Sequence, residues 1–442
     1  MTKQTQYIAH VMLCKVGSAL PHNTGMPQRS YASTSSNAPQ TPTWQESVAL
    51  AMVLALGAAI SLGVTRFSYG LLLPAMRSDL GWSYTLAGAM NTVNALGYLL
   101  GAWSMPRLLK RFDAVQIMLF GSAAASFFMA LTGFFTTAEP LLLQRLLAGI
   151  ASAWVFVAGG LLASQIGAQQ SGKSGLILGI YYGGVGLGIV FSTWLVPGVH
   201  YFTPAVPHAW AWAWWFLALG CVFASLVLMC KGDAFKRIAI ASQTPSSEPS
   251  EQQADRVFHS REFAYALAGY GLFGVGYIGY MTFVIALLRE QAATTSTVTI
   301  FYTLLGMAVM ASSRIWASLL DRFKEGQALA LLNGLLGCAI VIPAVTTWLP
   351  ALILSGVLFG GVFLSVVAST TALVRHNLPP TAWAAGISAF TVVFAAGQIV
   401  GPMMVGWIAD GKGGLAQGLL ISAFALWLGA LLAWRQKPLS SR

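Results

Sequence analysis

Twelve mostly apolar runs, separated by short polar breaks, span approximately residues 47–73, 84–105, 114–135, 140–166, 174–197, 209–230, 263–288, 296–319, 327–348, 350–374, 380–408 and 414–434. A helix rises about 1.5 Å per residue, so runs of this length cross the roughly 30 Å hydrocarbon core of a bilayer. They are too long and too continuously apolar for the alternating strands of a membrane barrel. Helices also satisfy their own backbone hydrogen bonds where no water is available. The pattern predicts an all-α membrane protein with 12 transmembrane helices.

The runs form two copies. Leu108-Leu109-Lys110-Arg111-Phe112 and Leu319-Leu320-Asp321-Arg322-Phe323 are one motif written twice, each in a charged gap between apolar runs. Three more pairs keep the spacing: Arg77 with Arg289, Pro140 with Pro350, and Gly179-Ile180 with Gly386-Ile387. Offsets of about 207 to 212 residues in the same order predict two parallel six-helix repeats.

Composition agrees: 56% of residues are hydrophobic and 8% charged, against roughly 25% charged in a soluble domain. With both ends placed in the cytoplasm, inner segments hold eighteen of the 24 lysines and arginines, outer loops hold Arg77, Arg289 and Lys412, and Arg66, Arg145 and Arg314 lie within spans. The positive-inside rule therefore places both ends inside. Cytoplasmic loops facing anionic lipid account for the net charge of +11 without nucleic acid.

Residues 1–45, rich in Ser, Thr, Pro and Gln from Tyr31 to Thr43, are expected to be a disordered cytoplasmic tail. The interrupted apolar patch from Tyr7 to Leu20 reads as neither signal peptide nor span, and Met26 is an alternative start. The remaining divisions are an N-terminal bundle at 46–230, a flexible linker at 231–261, a C-terminal bundle at 262–436 and a tail at 437–442.

Candidate chemistry is sparse. Cys14, Cys221, Cys230 and Cys338 lack metal-ligand spacing, the histidines fall in loops or tails, and the span centres contain no Asp or Glu. An intramembrane enzyme, metal site or cofactor site is therefore not expected. Gly97 with Gly101, Gly184 with Gly188 and Gly397 with Gly401 are spaced for close helix packing in lipid. The run Gly183-Gly184-Val185-Gly186-Leu187-Gly188 lies inside a span with no strand before it, which disfavours a phosphate loop.

Two six-span repeats joined by a long central loop, an Asp-Arg pair between spans eight and nine, Arg145-Leu146-Leu147-Ala148-Gly149 and Gly397-Gln398-Ile399-Val400-Gly401-Pro402 together resemble the major facilitator superfamily over roughly residues 46–436. Within it, the segment from Arg66 to Arg77 and the Gly274-Val275-Gly276-Tyr277 stretch are similar to the bacterial YbfB/YjiJ-like group. The resemblance implies secondary transport by alternating access in the bacterial inner membrane. A cytoplasmic latch is implied as well, at Arg314, Asp321 and Arg322 and, in the first repeat, at Arg107, Lys110 and Arg111. Here Lys110 stands where the other repeat has Asp321, so one latch is altered. Asp321 is expected to engage the N-terminus of span five, where the helix dipole favours an anion.

Arg66 and Arg145 are the sharpest candidates. A charge deep in a span costs roughly 2.5 kcal/mol or more to insert, so it usually faces a protein cavity. The two lie roughly 11 and 8 Å below the outer ends of spans one and four, at similar depth. One reading has both converge on an anionic solute, since arginine's fork suits a carboxylate. The other has Arg66 bond carbonyls near Gly63 and Pro74 while Arg145 braces span four near Glu139. Tyr69 accompanies Arg66; Tyr270, Tyr277 and Gln398, with Ser365 and Ser369, are expected to form the opposite wall. Trp210, Trp212, Trp214 and Trp215 read as an aromatic belt, and Asn91, Asn94 and Asn333 as glue between helices.

The function expected is that of a monomeric transporter moving a small organic solute, preferentially an organic anion, with membrane lipid as its other partner. Proton-coupled efflux of hydrophobic or drug-like compounds is the alternative, although Asp79, Glu290 and Asp410 all read as outer-loop residues rather than span carboxylates. A non-transporting receptor or scaffold is the different class.

Overall fold

The computed structural model describes residues 42–170, 173–202, 206–241 and 258–438. The expected disordered tail, apart from its last few residues, and the alternative start at Met26 lie outside the described residues. All regular structure among the described residues is helical. Eleven helices are long and apolar enough to cross a membrane: α1 (Trp44–Leu80), α3 (Ala114–Thr132), α4 (Ala138–Ala168), α5 (Ser174–Phe202), α6 (Ala209–Cys230), α7 (Ala264–Glu290), α8 (Thr295–Ile315), α9 (Gln327–Val345), α10 (Leu349–Asn377), α11 (Pro380–Ala409) and α12 (Gly414–Trp434). The twelfth, α2 (Tyr84–Leu108), has the length but carries Thr85, Asn91, Thr92 and Asn94. Asn91, Thr92 and Asn94 bond neighbouring helices inside the bundle, and Thr85 bonds Asp410 at its end.

Local sequence sets several of these boundaries. Thr43 and Asp113 open α1 and α3 with reciprocal capping boxes to Glu46 and Gln116, and Ser83 and Thr294 cap α2 and α8. Gly81 ends α1 at φ 67°, a left-handed conformation that a glycine adopts without steric cost. The first helix runs past the expected end at 73, which puts Asp79 in its last turn rather than in a loop. Similarly, His200 lies in the last turn of α5, because that helix continues to Phe202.

Helix α1 is not regular. Its Ala59–Val64 segment is a π-helix, with Thr65 and Phe67 donating from N to the carbonyls of Ile60 and Leu62, five residues back. The Thr65 and Ser68 hydroxyls bond the carbonyls of Ile60 and Val64, which keeps the distorted backbone satisfied in an apolar medium. Arg66 sits at this break. The π turn rests directly on α5: a Cβ added at Gly63 would lie 2.6 Å from the Val185 carbonyl oxygen, and one at Gly188 2.6 Å from that of Ala59. The small-residue spacing on α5 thus brings two backbones together.

Helices α1–α6 and α7–α12 make two six-helix halves, joined by the α2–α11, α5–α8 and α1–α7 seams. With twelve crossings, Trp44 and Trp434 fall at one end of the bundle; the turns at Gly81 and Asp410 form the other, called distal below. The segment expected to be a flexible linker begins as a helix, Gly232–Ala241, with Phe235 and Ile238 buried. Its apolar face packs on α3, α4 and α6, and residues 242–257 lie outside the described residues. The tryptophans that open α6 are not simply a belt. Trp210 and Trp214, one turn apart, point inward, where their ring N–H groups donate to the Asp79 carboxylate and the Met76 sulfur, while Trp212 remains on the surface.

Candidate functional site

Arg66 and Arg145 are both buried, 2% and 3% exposed, and are close enough for each charge to act on the other. Neither guanidinium is bonded to a carboxylate among the described residues. Their hydrogen bonds differ. Arg145 donates from Nη1 to the Thr65 carbonyl (2.8 Å), from Nη2 to Asn91 Oδ1 (2.8 Å) and from Nε to the Met90 carbonyl (3.5 Å). Its guanidinium carbon lies 4.9 Å from the centre of the Tyr69 ring, and the Tyr69 hydroxyl donates to Ala87 O. Asn94 in turn donates to Arg145 O. Arg145 and Tyr69 therefore brace α1, α2 and α4, with α2 and Thr65 as the partners rather than Glu139.

Arg66 crosses between the halves. Its Nη2 donates to Gln398 Oε1 on α11 at 2.6 Å, and its guanidinium carbon lies 5.8 Å from the Tyr98 ring centre. Its Nε, itself covered, has no hydrogen-bond partner among the described residues. Nε–H and Nη2–H form one side edge of the guanidinium, spaced for the two oxygens of a carboxylate. That edge is half filled, by a neutral amide.

The opposite wall is aromatic. Tyr270 and Tyr277 share a face of α7, as the seven-residue spacing implies, and both rings stack against Phe273 and against Phe394 of α11. Tyr277 also stacks on Phe363 of α10, near parallel at 9°. Ser365 and Ser369 are turned to backbone carbonyls of Ser312 and Val366. On the N-terminal side stand two tyrosines that sequence reasoning did not select: Tyr98, beside Arg66, and Tyr182, which packs on Phe156 and Tyr181. Their signal was an aromatic hydroxyl in the middle of a span, away from the interfaces where tyrosine usually sits.

Other cross-half hydrogen bonds gather between this site and the distal end. Asn91 donates to Thr282, Thr92 to the Ile399 carbonyl, and Tyr302 to the Phe67 carbonyl. At the distal end itself Asp410 caps the start of α2, accepting from Tyr84 N (2.7 Å), Thr85 N (2.9 Å) and Thr85 Oγ1 (2.6 Å). Burial works against the Asp410 charge, but the bonds from Thr85 and Tyr84, with Arg77 nearby, outweigh it and hold the carboxyl below its ordinary value. The Tyr84 hydroxyl donates to Glu290, and Arg77 stacks over the Tyr84 ring at 3.7 Å. Asn91, Asn94 and Asn333, expected as glue, do bond between helices.

At the opposite end, Arg107, Lys110, Arg111, Arg314 and Arg322 are exposed. Arg107 lies over the Trp103 ring and Arg322 near that of Phe323. The Asp321 side chain lies outside the described residues, so this latch remains a sequence expectation. Among the described residues, no group of three or more His, Cys, Asp or Glu residues is placed to hold a metal.

A family model described as "Uncharacterised MFS-type transporter YbfB" matches residues 58–434. Among solved structures, a bacterial homolog of the human lysosomal transporter Spinster, inward-facing and unoccupied, is similar at TM-score 0.64 and 13% identity over 89% of this chain and 97% of that one. The nucleoside transporter NupG is similar at TM-score 0.63 and 15% identity, covering 89% and 99%. The human organic anion transporter MFSD10 gives 0.56 and 14%, covering 89% and 100%. A search of curated proteins finds no match. With the family match spanning most of the chain and a shared twelve-helix fold, the protein belongs to the YbfB-type family of major facilitator superfamily transporters.

Proposed function

We propose that the protein is a secondary active transporter that moves a small organic anion across the bacterial inner membrane, with both chain ends in the cytoplasm. The observation that carries this reading is the half-filled edge of Arg66. A guanidinium holds a carboxylate through two parallel charge-assisted bonds. An arriving carboxylate takes the vacant Nε and displaces Gln398 from Nη2, supplying a negative charge near an arginine that has no acidic partner among the described residues. Displacing Gln398 also breaks a bond between the halves, which couples occupancy of the site to their fit.

Arg145 adds positive potential while its donors stay on Thr65, Met90 and Asn91, and Tyr69 holds it in place. Tyr270, Tyr277 and Gln398 supply the facing wall. Asp321 with Arg314 and Arg322, and Arg107, Lys110 and Arg111, form the cytoplasmic latch of this reading, supported by the repeated motif.

The aromatic walls favour a second reading, export of a neutral hydrophobic compound. A thermal-shift screen of the purified protein against organic acids, sugars and uncharged drugs separates the two, because a solute that binds the folded state raises its apparent stability. Stabilisation by carboxylates that is lost in Arg66→Gln supports the anion reading. Stabilisation by uncharged compounds alone, equal in both proteins, overturns it.

A further inference from the structure

The charge and ring geometry of the site define its ligand more narrowly. We propose that the solute is a flat conjugated carboxylate: a planar aromatic ring bearing a single negative charge. This rests on the anion reading above and narrows it.

The charge count comes from the two arginines. Arg145 has all three of its nitrogens on acceptors of the protein, whereas Arg66 offers one side edge with one seat vacant. One half-filled side edge matches one carboxylate, and Arg145, with every nitrogen engaged, offers no second fork.

The shape comes from the walls. On the C-terminal side the rings are nearly parallel. Phe394 lies 5.0 Å from Tyr270 at 21°, 5.3 Å from Phe273 at 9° and 5.6 Å from Tyr277 at 17°. On the N-terminal side, Tyr98 flanks Arg66, and Tyr182 packs against Tyr181 and Phe156. Arg66, flanked by Tyr98, bonds Gln398 on α11, one helical turn from Phe394, so the two sets of rings meet across the halves at this contact.

Rings that only filled a core would be covered. Tyr181, Phe273, Tyr270 and Tyr277 are, at 0–3% exposure, but Phe394 and Tyr98 are half-buried and Tyr182 is 37% exposed. The open aromatic faces are therefore those of Phe394, Tyr182 and Tyr98, the last beside the half-filled guanidinium of Arg66. Aromatic pairs favour offset or edge contacts with centroids about 4.5–7 Å apart, so such walls prefer a flat ring over a puckered one of equal area.

Calorimetric titration of the purified full-length protein at pH 7.5 with benzoate, cyclohexanecarboxylate and benzamide separates charge from flatness. Benzoate and cyclohexanecarboxylate share the charge and carbon count, and benzamide shares the ring. The expected order is benzoate tightest, cyclohexanecarboxylate weaker by roughly threefold to tenfold, the range that aromatic pairing supplies, and benzamide weakest. Phe394→Leu is expected to erase the difference between the two carboxylates while both still bind. Equal binding of the two carboxylates to the wild-type protein overturns the aromatic inference and leaves the anion reading standing. Binding of benzamide at least as tight as benzoate overturns both. Absence of benzoate binding to folded protein that still binds cyclohexanecarboxylate, or that binds none of the three, also overturns the inference.

Discussion

Arg66 on α1 and Gln398 on α11 meet across the two halves through a 2.6 Å hydrogen bond, deep in a bundle where neither is more than 2% exposed. A charged donor held by a neutral acceptor is an exchangeable arrangement: a carboxylate makes the same bond more strongly. This pair therefore serves both as the candidate solute site and as a tie between the parts that must move.

Substitutions at Arg66 separate charge from geometry. Arg66→Lys keeps the cation but loses the planar fork, and Arg66→Gln loses both. A hydrogen bond to a charged group contributes about 1.5–3 kcal/mol, so carboxylate affinity is expected to fall roughly tenfold or more in Arg66→Lys and further in Arg66→Gln. Titration of both variants checks the order.

Removing the placeholder has the opposite sign. Gln398→Ala leaves the Arg66 edge empty and removes a charge-assisted bond of about 1.5–3 kcal/mol that an incoming anion must otherwise displace. Carboxylate affinity is expected to rise roughly tenfold or more, with a lower melting temperature in the absence of ligand. Calorimetry and thermal melts on the same preparation read both.

Arg145 is expected to behave as a brace. Arg145→Met strips partners from Asn91 and from the Thr65 carbonyl at the π turn, and leaving such buried acceptors unsatisfied costs about 1–3 kcal/mol each. The melting temperature is expected to fall by more than in Arg66→Gln, whereas the preference among carboxylates stays as in the wild type. Melts and a competition series measure the two effects separately.

The Asp410 cap sets how the distal end responds to pH. Its carboxyl is held below the ordinary aspartate value of 3.8, so its contribution is present above that value and is lost as pH falls through the lower folded value. The Asp410 contribution to distal closure is therefore expected to stay constant from pH 7.5 to 5. Asp410→Asn removes the charge at every pH and is expected to increase labelling of a cysteine placed at Ala89, one turn beyond Thr85 on α2, from the distal side. Labelling rates at both pH values in each background test this.

Sequence pattern conveyed the fold well because lipid leaves helices few alternatives, and the doubled Leu-Leu-x-Arg-Phe motif exposed the two halves. It missed the π turn at Ala59–Val64, since a one-residue change in hydrogen-bond register leaves no hydrophobic signature. At the candidate site, Arg66, Tyr270, Tyr277 and Gln398 stood out as polar or aromatic residues inside spans. Tyr98 and Tyr182 did not, because their placement depends on which helix faces which across the halves. The inward turn of Trp210 and Trp214 was hidden for a similar reason. An i, i+4 pair points to one face, but Asp79 and Met76 beneath it come from a different helix.

The central claim, that an organic anion crosses by way of Arg66, is tested most directly by counterflow in proteoliposomes. Vesicles loaded with a high concentration of unlabelled carboxylate are diluted into a trace of the labelled compound. The account predicts transient accumulation of label by the wild-type protein and none above protein-free vesicles by Arg66→Gln folded to the same extent. Equal accumulation by the two proteins would contradict it.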